Sequence, residues 1–362
     1  MSANHARRGE VTARSRRLDD APDPLALHAL LTEGGARADT LLLETADAGQ
    51  GKTAQSFLVP RAALRATCRG RSVVVESLSA GGEGALAAVA NHLASTGTLI
   101  EQGLSRLALS FPAADPRLSA EERLRSPSPL DVLRAMTAMR VVSGPRDLSL
   151  FCAGVIAYDM IDVFEELPQA ASDPLEYPNY VMWLAESLVA IDARAGQTRI
   201  VCSAFGHDDP KRAAIADNDA VARLAELVDR CREARSERPP PHPDRPVGTD
   251  VTTDLDDDAY AAIVTSMKSH IRAGDVFQIV PSRSFSMACP SPLAAYRALR
   301  RINPSPYQFF VTASDHVLFG ASPETSVKVS AAEKRGETKR VSVRPIAGTR
   351  PRGRRDDGTI HR

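Results

Sequence analysis

Thr40-Leu41-Leu42-Leu43-Glu44-Thr45-Ala46-Asp47-Ala48-Gly49-Gln50-Gly51-Lys52-Thr53-Ala54-Gln55-Ser56-Phe57-Leu58-Val59-Pro60 supports two readings that lead to different folds. Residues 46–53 fit a relaxed phosphate-loop pattern with alanine in place of the first glycine, directly after a strand candidate. A true phosphate loop opens a helix, because the helix N-terminus and successive backbone N–H groups hold the phosphates. Here the loop runs into Ser56-Phe57-Leu58-Val59, short, apolar and stopped by Pro60, which reads as a second strand. The stretch is therefore read as a Gly-rich hairpin loop between two strands, and a nucleotide-binding protein is the disfavoured alternative.

Working outward, Ser72-Val73-Val74-Val75-Glu76-Ser77 is another short apolar run bounded by turn residues, with a strand segment at 64–68 before it. A small-residue helix is expected near 84–95. Ser128-Pro129 reads as a helix start, serine as N-cap and proline at the first position, followed by the stripe Val132, Leu133, Met136, Met139. Residues 148–158 contain Ala153-Gly154, which suits a central strand packed closely on a neighbour. Residues 181–191 and 198–205 flank Asp192-Ala193-Arg194-Ala195-Gly196-Gln197 and read as a hairpin. A helix over 210–235 gives way to Pro239-Pro240-Pro241-His242-Pro243, whose prolines favour an extended linker. Asp257 or Asp258 then caps an amphipathic helix through Tyr260, Ile263, Val264, Met267 and Ile271, stopped by Gly274. Strands at 276–281 and 285–287, a helix at 292–302, and strands at 308–312, 317–319 and 341–346 complete the pattern. Hairpins mix with helices without regular βαβ repetition, so the fold class is α+β. The expected domains are a basic disordered tail at 1–20, an N-terminal region at 21–235, a Pro-rich linker at 236–250 and a further domain at 251–362.

The 362 residues carry 45 Lys+Arg against 45 Asp+Glu, so no global field argues for nucleic acid or an anionic membrane. The first 17 residues are basic and lack an apolar core, which excludes a secretory signal. No apolar run reaches the roughly 20 residues a membrane-spanning helix needs. Five dispersed cysteines without a CxxC read as reduced core thiols of a cytoplasmic protein. Asp254-Leu255-Asp256-Asp257-Asp258 lacks the glycine and terminal glutamate of a calcium loop, and helix capping explains it. Near the C-terminus, Ile346-Ala347-Gly348-Thr349 places a glycine after an apolar strand, exposing backbone N–H beside a hydroxyl. The surrounding arginines could hold carboxylates bidentately, although for Arg352, Arg354 and Arg355 a solvated loop is the better reading.

Four motifs in order carry a resemblance: Phe277-Gln278-Ile279-Val280-Pro281-Ser282-Arg283, Asn303-Pro304-Ser305-Pro306-Tyr307, Phe319-Gly320-Ala321-Ser322-Pro323-Glu324 and Pro345-Ile346-Ala347-Gly348-Thr349-Arg350-Pro351-Arg352-Gly353. Together they resemble the large subunit (component I) of anthranilate synthase, a chorismate-utilising family. Leu41-Leu42-Leu43-Glu44-Thr45 is similar to that family's tryptophan-binding element, with threonine for the usual serine. The resemblance implies a tryptophan pocket formed by Glu44, Thr45, Asn303, Pro304, Pro306, Tyr307 and Gln308, with Gln308 standing where the enteric type has methionine. It implies chorismate contacts at Gly348 and Thr349, Mg²⁺ as cofactor, and a glutamine amidotransferase subunit as partner. It further implies that the metal ligands and acid/base residues fall beyond Arg362. The chain is thus expected to be an N-terminal fragment, inactive alone. The alternative is a non-catalytic tryptophan- or partner-binding module.

Overall fold

The computed structural model describes residues 5–46, 53–96, 98–165, 167–168, 175–234, 250–330 and 338–343. From the N-terminus, β1 (Glu10–Leu18), α1 (Pro24–Leu31), β2 (Thr40–Ala46), β3 (Thr53–Arg69) and β4 (Ser72–Ser77) follow one another. Next come α2 (Gly82–Leu93), β5 (Thr98–Gln102), β6 (Arg106–Ser110), α3 (Ala120–Arg125), α4 (Leu130–Thr137), β7 (Arg140–Ser143) and β8 (Cys152–Ile156). A 3-10 turn (Tyr158–Val163) precedes β9 (Tyr180–Asp192), β10 (Gln197–Phe205) and α5 (Pro210–Glu233). The remainder is β11 (Thr252–Thr253), α6 (Asp257–Ala273), β12 (Phe285–Ser286), α7 (Pro292–Ile302), β13 (Tyr307–Thr312), β14 (Val317–Ser322), β15 (Lys328–Ser330) and β16 (Arg340–Ser342). The mixed α+β class expected from the sequence is the one observed.

Two compact units emerge: residues 1–237 with 296–362, and residues 238–295. The expected boundary at 236–250 therefore marks only one end of the smaller unit. The chain from Tyr296 onward joins the larger one, because β13 pairs with β2.

The larger unit is built on one sheet, ordered β14-β13-β2-β3-β9-β10-β1-β7, with β8 on β9 and a β4-β6-β5 extension from β3. β2 and β3 are antiparallel, with Leu43 opposite Phe57 and Ala46 opposite Thr53, so the phosphate-loop look-alike bridges a hairpin. Pro60 does not stop the second strand. β3 runs through it, and the ladder to β9 slips between Leu58 and Leu64, where the missing proline N–H is absorbed by irregular pairing. The expected tail is a strand for half its length: β1 pairs antiparallel with β10 and parallel with β7. Val11 and Ala13 alternate inward there, and Arg14 reaches Asp217 of α5 at 2.6 Å. β8 pairs with β9 alone, so it is not the central strand expected, although Gly154 does press directly on the β9 backbone.

One core cluster gathers Leu86, Val89 and Leu93 of α2 with Val132 and Met136 of α4 over Leu64, Val75, Leu107 and Leu184. A second unites Leu41, Val59, Trp183, Val201 and Val311. Ser128 was expected to cap α4 through its side chain. Instead Pro129 occupies the cap position without a side-chain bond, and Ser128 N donates to Asp131 Oδ2 at 2.9 Å. The cysteines are free thiols, of which Cys68, Cys202 and Cys231 are buried as expected and Cys289 is exposed.

In the smaller unit, Asp256 caps α6 by accepting from Ala259 N at 2.7 Å, and Gly274 ends it with φ 83°. Residues 276–281 form no strand. Phe277 is fully exposed there, whereas the strand expected at 285–287 forms as β12, paired with β11. The Arg283 guanidinium lies between the Tyr260 and Phe285 rings, 5.1 and 4.7 Å from their centroids. The expected linker at 236–250 lies outside the described residues except for Asp250.

Candidate functional site

A strand presents alternate side chains to opposite faces, and directly opposed residues of an antiparallel pair share a face. β2 therefore sorts the predicted site residues into two rows. Glu44 stands opposite Gln308 on β13 and Ser56 on β3, while Thr45 stands opposite Tyr307 and Gln55. The first row is buried: Gln308, Glu44 and Ser56 are 4%, 2% and 1% exposed. The second is half-exposed or exposed.

A carboxylate in so dry a place needs charged and hydrogen-bonding partners, since an unpaired buried charge costs several kcal/mol. Helix α7 supplies them. Tyr296 Oη donates to Glu44 Oε2 at 2.7 Å, and Arg300 Nη2 lies 2.9 Å from Glu44 Oε1. These side chains are four apart and so emerge on one helix face. Arg300 Nη1 also reaches Asp23 Oδ2 at 3.4 Å. Asp23 is the N-cap of α1, its Oδ1 accepting from Ala26 N at 2.8 Å.

An aromatic group seals this cluster. The Tyr296 ring is 5.5 Å from Phe310, which stacks on Phe319 at 6.0 Å and meets His28 edge-on at 5.6 Å. Burial pushes the Tyr296 phenol far up, and the Glu44 charge pushes it further, so it stays protonated as a donor. Burial alone lowers His28 to about 4, leaving a neutral imidazole.

The wall after α7 is held by its own bonds. Gln308 Nε2 donates to Asn303 O at 3.2 Å, and Ser305 Oγ to Asn303 Oδ1 at 3.2 Å. Ala46 N donates to Pro306 O at 3.0 Å, joining the end of β2 to this loop. Tyr307 Oη pairs with Thr325 Oγ1 at 2.5 Å, and Thr45 Oγ1 both accepts from Gln55 N and donates to Gln55 O. Pro304 is exposed between these bonds.

The structure thus brings Glu44, Thr45, Asn303, Pro306, Tyr307 and Gln308 together at the β2–β13 seam. Gly348 and Thr349 lie outside the described residues. Sequence reasoning missed Tyr296, Arg300 and Asp23. The signal was present in Glu44 itself, an acid closing a buried Leu-Leu-Leu run that must find a cation. Among the described residues, no group of three or more His, Cys, Asp or Glu side chains could hold a metal ion, so no step is assigned here to Mg²⁺. None of their helices is long and apolar enough to cross a membrane.

Residues 99–359 match the chorismate binding enzyme family, and the chain belongs to it. Its relatives include anthranilate synthase component 1 of Escherichia coli, 39% identical over 91% of this chain and 60% of that protein. The pyocyanine-specific anthranilate synthase component 1 of Pseudomonas aeruginosa is 35% identical over 98% of this chain and 64% of its own length. The chain therefore spans about 60% of the length of the curated relatives it matches. Among solved structures, anthranilate synthase component I from Streptococcus pneumoniae aligns with TM-score 0.50 at 19% identity, covering 77% of this chain and 52% of that one, which supports the shared fold.

Proposed function

We propose that this chain belongs to the large subunit of an anthranilate synthase, converting chorismate and ammonia to anthranilate, pyruvate and water in tryptophan biosynthesis. Ammonia would come from glutamine through an amidotransferase subunit, in the cytoplasm, with Mg²⁺ as the cofactor of the whole enzyme. Gly348 and Thr349 are the proposed chorismate contacts, and the β2–β13 seam is the proposed L-tryptophan feedback site, with Glu44, Thr45, Asn303, Pro304, Pro306, Tyr307 and Gln308. The observation that carries this reading is the register. Two motifs some 260 residues apart, each similar to one wall of a tryptophan pocket, lie on neighbouring strands with Glu44 beside Gln308 and Thr45 beside Tyr307.

The chemistry suits an amino acid. A carboxylate can hold an ammonium through charge-assisted bonds. Calorimetric titration of the chain with L-tryptophan tests the site. The full-length gene product, given chorismate, Mg²⁺ and ammonia, tests the reaction by anthranilate fluorescence, which tryptophan should suppress. No heat of binding, or anthranilate formation indifferent to tryptophan, refutes the feedback site. No anthranilate from the full-length product refutes the activity.

A further inference from the structure

We infer that Arg300 sets the affinity of the β2–β13 seam for its amino-acid ligand, by competing with the ligand's ammonium group for the Glu44 carboxylate. This rests on the reading of the seam as an amino-acid site. The geometry is that of a cation held between two acids. Arg300 Nη2 lies 2.9 Å from Glu44 Oε1, and Nη1 lies 3.4 Å from Asp23 Oδ2. Glu44 is almost wholly buried, whereas the Arg300 side chain keeps 20% of its surface and Asp23 55%. Of these two contacts, the one to Glu44 is the shorter and drier, and the one to Asp23 the longer and wetter. A small shift toward Asp23 frees a face of Glu44 without stranding the arginine. Tyr296 Oη continues to donate to the other carboxylate oxygen throughout, so the acid stays oriented.

An arriving ammonium meets a carboxylate already neutralised, beside a fixed positive charge that repels it. The ligand gains only the difference between its own contact and the one it displaces, which makes the site responsive at a threshold rather than avid. Asp23 acts on the same balance from the other side, because its charge draws Arg300 outward. Removing Arg300 and removing the charge of Asp23 must then change ligand affinity in opposite directions, a sign pattern that a purely structural role for the cluster does not produce.

The experiment is a calorimetric titration of the chain at fixed pH and ionic strength with L-tryptophan and with indole-3-propionate, which lacks the amino group. Arg300→Met should tighten tryptophan binding by about tenfold, the scale of one charge-assisted hydrogen bond, and leave indole-3-propionate unchanged. Asp23→Asn, which keeps the helix cap, should weaken tryptophan binding, again without moving the analogue. If Arg300→Met does not fold, the Asp23→Asn arm decides the matter alone. Failure of the wild-type chain to bind tryptophan overturns the reading of the seam, and this inference with it. Wild-type binding that neither variant alters, variants that shift it the same way, or equal shifts for both ligands overturn the competition while leaving the site intact.

Discussion

Tyr296→Phe deletes a single oxygen from the core of the larger unit and isolates the contribution of the buried seam. The phenol is fully buried and donates to Glu44 Oε2 at 2.7 Å. Phenylalanine keeps the ring contacts to Phe310 and Phe319, so no cavity beyond one oxygen is formed. A hydrogen bond to a charged group contributes about 1.5–3 kcal/mol. Arg300 remains beside the carboxylate and offsets part of the loss, which sets the expected destabilisation at about 2 kcal/mol. In a unit of this size, spanning residues 1–237 and 296–362, that corresponds to a drop in Tm of about 3 °C. Trp183, the chain's single tryptophan, is 1% exposed on β9 and donates Nε1–H to Asp39 Oδ1 at 2.7 Å, so its fluorescence reports unfolding of this unit. Urea titrations followed at Trp183 should show a lower midpoint with unchanged slope. Tyr158→Phe, at an 85% exposed position, is the control and should stay within about 0.5 kcal/mol of wild type. If Tyr296→Phe also stays within that margin, the phenol contributes no net stabilisation to Glu44 and the account of the seam fails.

His28 is held near 4 when folded against an ordinary 6.5, so the unfolded chain takes up the proton first. The stability it contributes is present above about pH 6.5 and is lost as pH falls toward 4, up to about 3 kcal/mol; His28→Leu should flatten the urea midpoint between pH 7 and pH 5. Gly154→Ala places a methyl against the Val181 carbonyl and the Met182 backbone, and should destabilise the unit by about 1–3 kcal/mol as β8 is forced off β9, read as a lower Trp183 urea midpoint. Gln308→Met removes the donor to Asn303 O, and should lower the urea midpoint by the equivalent of about 1 kcal/mol and weaken tryptophan binding in calorimetry rather than strengthen it.

Most of the fold was legible because its signals were local. The 192–197 turn, the apolar runs of β2 and β4, and the Gly274 stop each specify their own geometry within a few residues. What failed was non-local. Residues 10–18 read as a basic tail because Arg14, Arg16 and Arg17 mask two inward positions, Val11 and Ala13, and only pairing with β10 and β7 makes a strand of them. Pro60 read as a terminator because a proline weakens a ladder, yet β3 tolerates it where the pairing already slips. Residues 276–281 carried strand composition without a partner strand, and composition alone does not build a ladder.

The site residues were legible as motifs but not as an arrangement, and the reason lies in the period of a strand. Glu44 and Thr45 are adjacent in sequence, which invites the picture of both side chains closing on one ligand amino group. Alternation sends them to opposite faces: Glu44 under α7 with Tyr296 and Arg300, Thr45 toward Gln55 and Tyr307. A ligand that touches both must therefore sit at the end of β2 rather than over either face. That end is where Ala46 N donates to Pro306 O and where the loop leaving α7 turns into β13. Arg300, four residues before Pro304, sits just before that loop, so under the proposed competition a ligand that displaces Arg300 toward Asp23 would act on the helix that delivers the opposite wall.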